Sequence, residues 1–214
     1  MVLGLPSGGR HDAVASRLNT MGTVHRLPSA PKASTALEIR IELKWLKPSI
    51  WRRVRVPAHI ALGKLHRVIQ TAMGWTDSHL HEFLIGGRRY GIEDPDWDMP
   101  FEIVDEAKVP LDTALKDRKT FTYTYDFGDS WEHTLKVEKK LSGEVLIHPL
   151  CEAGKHACPP EDVGGPDGYV NFLHAVLDSH HPEHQAMLDW CGGSFDPYAF
   201  DIDQVNRQLK RIKL

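Results

Sequence analysis

Three groups of side chains along this 214-residue chain have the types and spacing to do chemistry. In the first, Asp126 and Asp129 flank Phe127-Gly128, His133 follows, and His79 and His81 alternate far upstream. Alternate residues of a strand project to one side about 6.5–7 Å apart, which suits two imidazoles on one metal ion. The aspartates would add oxygen ligands, or work with His133 as a general acid and base. Zinc or another divalent metal is the cofactor such a set takes, and metal-assisted hydrolysis is its chemistry. The competing reading is plain: Asp before Gly in a hairpin loop accepts backbone N–H groups two residues on and only turns the chain.

The second group is His148-x2-Cys151-x4-His156-x-Cys158. Imidazole and thiolate suit zinc, but no pair has the usual knuckle spacing and no second paired half follows. Buried cysteines pinning a loop explain Cys151 and Cys158 as well. The third is the loop from Pro159 to Pro166, where Glu161 and Asp162 could act as acceptors in a cleft, with Glu161 a further catalytic candidate. It lacks the lysine and spacing of a phosphate-binding loop.

The elements that must position these residues follow from periodicity. Leu37 to Trp45 alternates as a half-buried strand, Lys47-Pro48-Ser49 turns, and Ile50 to Val56 returns as its hairpin partner. Its polar face is expected to carry the basic residues. Leu62, Leu65, Ile69 and Met73 make a helical stripe that Gly74 terminates, with His66 beside the stripe at the surface or its boundary. His79 to Ile85 reads as a strand turning through Gly86-Gly87 into a second hairpin. Asp94 to Pro100 reads as an acidic loop, and Val109 to Leu115 as a short helical turn.

Strand parity fixes the third hairpin. Pairing Tyr125 with Trp131 aligns Tyr123 with His133 and Phe121 with Leu135, and leaves a five-residue loop from Asp126 to Ser130. A one-residue slip would set the aromatics opposite Glu132 and Thr134. His133 therefore faces the aromatic side. Cys151 to Gly168 reads as an ordered loop. Helices follow over Tyr169–Leu177, from Pro182 in the first turn of the next, and after a cap at Asp201 or Asp203. Strands early and helices late give an α+β fold: an antiparallel sheet of hairpins, an early helix packed on it, and a helical C-terminal segment. Residues 1–36, with Asp12 as their only acid, read as a disordered leader before a single domain at 37–214.

Composition narrows the function classes. No run approaches the roughly 18–20 apolar residues of a membrane span. Three cysteines without a secretory signal point to reduced thiols and the cytoplasm. Net charge is −3, yet Glu38 to Gly91 holds ten Lys/Arg against four acids, and 92–117 holds nine acids against two lysines. These blocks are expected to pair within the fold. Were nucleic acid the partner, Lys47, Arg52, Arg53, Arg55, Arg88 and Arg89 would contact phosphate.

Taken in order, LEIRIELKWLKPSIWRRVRVP, LHRVIQTAMGW, His79-Leu80-His81-Glu82-Phe83, YDFGDSWEHTL, ACPPEDVGGPDGY and WCGGSFDPYAFD resemble the plasmid pRiA4b ORF-3-like family over residues 37–214. The resemblance implies a mixed α+β fold found widely in bacteria, a plasmid or mobile-element association, and no defined reaction. A resolvase-type label attached to some relatives finds no serine-recombinase pattern here. The expectation is a binding or interaction module for nucleic acid or protein. The rival is a metal-dependent hydrolase built on His79, His81, Asp126, Asp129 and His133.

Overall fold

The computed structural model describes residues 35–92 and 102–214. The expected leader lies outside them, except that Thr35 and Ala36 already belong to the first strand. The acidic loop at 94–100 also lies outside them.

Eight strands form one sheet: β1 (Thr35–Leu43), β2 (Trp51–Pro57), β3 (His81–Ile85), β4 (Arg88–Gly91), β5 (Ile103–Asp105), β6 (Thr120–Tyr125), β7 (Trp131–Ser142) and β8 (Leu150–Lys155). Their order is β5-β4-β3-β6-β7-β1-β2-β8, antiparallel throughout except for the β4–β5 pair. Among the described residues five helices accompany it: α1 (Leu62–Met73), α2 (Leu111–Leu115), α3 (Gly165–Leu177), α4 (His184–Trp190) and α5 (Ile202–Leu209). The fold is α+β. The early helix α1 packs on β2 but also on α5 and on a 3-10 turn at Glu106–Lys108, so the sheet is only one of its supports. Among the described residues no helix is long and apolar enough to cross a membrane.

The hairpin register follows the alternation. Tyr125 pairs with Trp131, Tyr123 with His133 and Phe121 with Leu135, around the five-residue loop 126–130. On the other edge of β7, Leu43 lies opposite His133 and Ile41 opposite Leu135. Tyr123, Tyr125, Trp131, His133 and Leu135 are each wholly buried. The α1 stripe is buried through Leu62, Leu65, Ile69 and Met73, and Gly74 ends the helix in the left-handed conformation at φ 107°.

Four expectations change. The strand expected from His79 begins only at His81, leaving His79 in the loop after α1. The segment expected as loop from Cys151 starts as edge strand β8, paired with β2. Helix α3 begins at Gly165 rather than Tyr169, and Pro182 precedes α4 instead of opening it. Of the two candidate caps for α5, Asp201 is the one: its carboxylate accepts the Gln204 N–H at 2.8 Å. The open edge of β8 is covered by one side chain. Asn206 accepts the Cys151 N–H at 2.8 Å and donates to the Cys151 carbonyl at 2.9 Å, standing in for a neighbouring strand.

Candidate metal centre

The polar residues gather where three loops meet at one end of the sheet: 75–80 after α1, 126–130 between β6 and β7, and 159–165 before α3. Each loop is tied to the others. Trp75, buried beneath them, donates its indole N–H to the Pro159 carbonyl at 3.0 Å. The Thr76 N–H and hydroxyl donate to Glu161 at 2.8 and 3.1 Å. The Ser78 N–H reaches the Tyr125 hydroxyl at 3.0 Å, and the Asp126 N–H reaches the Leu80 carbonyl at 2.8 Å. Asp129 accepts the Gly164 N–H at 3.0 Å. At Gly165, φ is +69° and a Cβ would sit 2.5 Å from the Asp129 carbonyl oxygen, so only glycine lets the two loops close this far.

That stitching aims three carboxylates at one imidazole. The His79 Nε2 lies 3.1 Å from Asp162 Oδ1, 3.7 Å from Asp126 Oδ2 and 3.9 Å from Glu161 Oε2. Ligand atoms of His79, Asp126 and Asp162 all lie within 4.8 Å of one another. The other Asp126 oxygen is committed to the turn, accepting the Gly128 and Asp129 N–H groups at 2.9 and 3.3 Å. One Asp126 oxygen thus makes the turn while the other lies toward His79. The His79 Nε2 is closed off from solvent yet has no hydrogen-bond partner in acceptable geometry. An imidazole nitrogen amid carboxylate oxygens is a donor set that divalent ions such as Zn2+ or Mn2+ accept.

The expected five-residue cluster does not assemble as one site. His81 is buried elsewhere, its Nε2 3.0 Å from both oxygens of Glu106. It stacks on His66 with ring centroids 3.4 Å apart and planes 4° from parallel. His66, expected near the surface, is only 4% exposed. Its Nε2 donates to Asp77 at 2.6 Å, and its Nδ1 accepts the Tyr123 hydroxyl at 2.8 Å, since a carboxylate can only accept. Gln70 donates to that same hydroxyl at 3.0 Å. Burial, then the adjoining His81, pushes the His66 pKa down, and burial pushes the Tyr123 phenol far up. His66, Asp77 and His81 could also present ligand atoms to an ion, but they are already partnered within this network.

Asp129 serves as the clamp to Gly164 and is not among the acids that approach His79. His133 is wholly buried between Tyr123 and Trp75, each ring centroid 5.3 Å away. Neither ring nitrogen closes a hydrogen bond. Burial lowers its pKa to about 4, offset in part by the nearby Tyr123 and Trp131 backbone. The Cys/His series stays dispersed: among the described residues its members form no group of three mutually close ligand atoms. His148 turns to the Pro149 carbonyl, and His156 lies edge-on to Tyr198. Burial raises the Cys151 thiol to about 11 and the Cys158 thiol further. All three cysteines are free.

The arginines foreseen as phosphate contacts are largely engaged. Arg52 is 2% exposed, because the register sets it opposite Ile41 on the core face and not on the polar one. Arg53 pairs with Glu138 at 2.6 Å, and Arg55 with Glu152 at 2.6 Å and Glu144 at 3.2 Å. Both approach the buried Glu38. Arg89 pairs with Glu82; Arg88 and Lys47 are exposed. Among the described residues these arginines find acids from β1, β3, β7 and β8 and from Glu144; part of the acidic block at 92–117 lies outside the described residues.

A mostly antiparallel sheet with helices late in the chain, closed at one end by three interlocked polar loops, defines an α+β protein with a candidate site on its loops. The chain belongs to the family described as plasmid pRiA4b ORF-3-like protein, whose profile matches residues 35–204. It is 42% identical over 181 residues to the uncharacterized protein y4hQ of Sinorhizobium fredii, covering 82% of this chain and 91% of that one. It also resembles the crystal structure of MM3350, a protein of unknown function from Methanosarcina mazei Go1. There the TM-score is 0.72 at 35% identity, over 81% of this chain and 97% of the other.

Proposed function

We propose that the protein is a binding module that acts through one divalent cation held by His79, Asp126 and Asp162, with Glu161 close by. One observation carries this reading: the buried, unpartnered His79 Nε2 stands amid carboxylates brought from two other loops. Three carboxylates outnumber one imidazole here, and a bound cation would offset their charge. The ion would in turn hold the three loops in register for a partner. We place its work in the cytoplasm, which the free thiols support.

The test is elemental analysis of untagged protein together with calorimetric titration with Mn2+ and Zn2+. One ion per chain is expected, with His79→Ala and Asp162→Asn each weakening binding by at least about tenfold and Cys158→Ala leaving it unchanged. Protein that purifies free of metal and takes up neither ion saturably would refute the reading. A metal-dependent hydrolase is favoured by a separate observation. A cavity of about 330 Å3, lined by Phe172, Met187 and Trp190, opens beside Asp162. Turnover of p-nitrophenyl phosphate or acetate by Mn2+-loaded protein, lost in Asp162→Asn, would select it over the non-catalytic module.

A further inference from the structure

Arg52 presents a problem independent of the loop site. Its side chain is almost wholly buried, yet among the described residues no carboxylate lies within ion-pair distance of it. Its acceptors are all neutral: Nε donates to the Ala72 carbonyl at 2.8 Å, and Nη1 donates to the Trp51 and Lys155 carbonyls, each at 2.9 Å. The guanidinium also lies over the Phe200 ring, 4.1 Å from its centre. Burial pulls its pKa down, with only two neighbouring thiols opposing. Removing a guanidinium from water without an anion is costly, and carbonyl dipoles and one ring face compensate it only in part.

The remaining nitrogen explains the arrangement. Nη2 has no acceptor within the described protein, and Arg52 forms part of the floor of a cavity of about 440 Å3 between the end of α1 and the start of α5. Trp75, Met73, Val205 and Phe200 give that cavity apolar surface, while Thr71 and Gln204 add polar groups. Asp201 is also in the wall, but its carboxylate already caps α5 and lies 3.9 Å from Arg207. One cation is therefore left without a counter-anion, and it matches a single negative charge. A doubly charged phosphate would meet one guanidinium and one acid.

We propose that this cavity binds a small monocarboxylic acid with an apolar body. The carboxylate accepts from Arg52 Nη2, and the body lies against Phe200 and Trp75. Gly154 keeps the floor open for this geometry, since a Cβ there would meet Phe200 at 2.6 Å and the Arg52 side chain at 2.8 Å. The size suits a ligand of that kind, because small-molecule sites run from about 300 to 1,000 Å3.

The experiment is calorimetric titration of the full chain with phenylacetate, hexanoate and, separately, inorganic phosphate. Saturable binding of at least one monocarboxylate, tighter than phosphate, is expected. Arg52→Met should abolish it, although that variant also removes three internal hydrogen bonds and can fail to fold. Gln204→Glu is the control for this. Gln204 is exposed on α5, and a glutamate three residues after the Asp201 cap favours the helix end. The added charge in the wall should weaken carboxylate binding about tenfold without loss of thermal stability. No saturable binding of either acid, phosphate bound as tightly, or unchanged affinity in Gln204→Glu would each overturn the proposal.

Discussion

Replacing His133 with leucine separates a buried structural imidazole from a titrating one. The ring is wholly buried, and its pKa falls from the ordinary 6.5 to about 4 because burial disfavours the imidazolium. Between those values the unfolded chain binds a proton that the native state refuses, so stability rises with pH across that window. The contribution is fully present above about pH 6.5, is lost as pH falls, and levels off below about pH 4. Relative to pH 8, the loss from this residue is on the order of 2 kcal/mol at pH 5 and about 3 kcal/mol at pH 4. His66 shifts in the same direction, but it stays in both proteins and cancels in the comparison.

Urea unfolding of wild type and His133→Leu at pH 7.5 and pH 5 measures the effect. At pH 7.5 the variant should lie within about 1 kcal/mol of wild type, since it trades ring packing on Trp75 and Tyr123 for the loss of two unpartnered buried nitrogens. At pH 5 it should be the more stable protein by about 2 kcal/mol. Parallel pH curves would refute the reasoning. They would mean that the ring is solvated or protonated in the native state, and would restore His133 as a general acid or base.

Two further substitutions probe the frame around the sites. Asn206→Ala should cost about 2 kcal/mol in urea unfolding by exposing the Cys151 N–H and carbonyl on the β8 edge; an unchanged midpoint would show that water replaces the amide without loss. Gly165→Ala should lower divalent-ion affinity by about tenfold while touching no ligand, because it forces the 159–165 loop away from Asp129. Equal affinity would mean that the loops need not close for the ion to bind.

Which parts were legible in the sequence depends on how local their cause is. The Tyr125–Trp131 register was readable because period-two alternation allows one pairing that buries every aromatic side chain. Helix α1 was readable from its stripe and terminal glycine. Strand β8 was not, because Leu150–Lys155 holds Glu152, Gly154 and Lys155 and buries only Cys151 deeply. Arg52 was legible in principle. Ile50, Arg52, Val54 and Val56 share one parity, but charge suggested the outer face, and the cavity that accommodates the guanidinium is made by α1 and α5 far away in the chain. His79 was displaced by two residues of strand boundary, enough to part it from His81. Asp162, the acid nearest to His79, was legible only as a cleft acceptor in a Pro- and Gly-rich loop, with nothing local to join it to His79.

The turn at 126–130 is a structural condition for the site proposed beside it. Pairing Tyr125 with Trp131 buries the Tyr125 ring against Trp75, 5.0 Å between centroids, and brings its hydroxyl out at the end of the sheet. Burial raises that phenol's pKa, so it keeps its proton and donates to Glu161, 3.2 Å from either oxygen, while accepting from Ser78. One aromatic residue thereby anchors the loops on both sides of the site. The same register leaves five residues for the turn, which commits one Asp126 oxygen to backbone N–H groups and frees the other toward His79. A slip of one residue would turn Tyr125 outward, release Glu161 and Ser78 together, and take the Asp126 oxygen from His79. The hydrophobic pattern of one hairpin therefore sets the geometry of a polar site that contains none of its apolar residues.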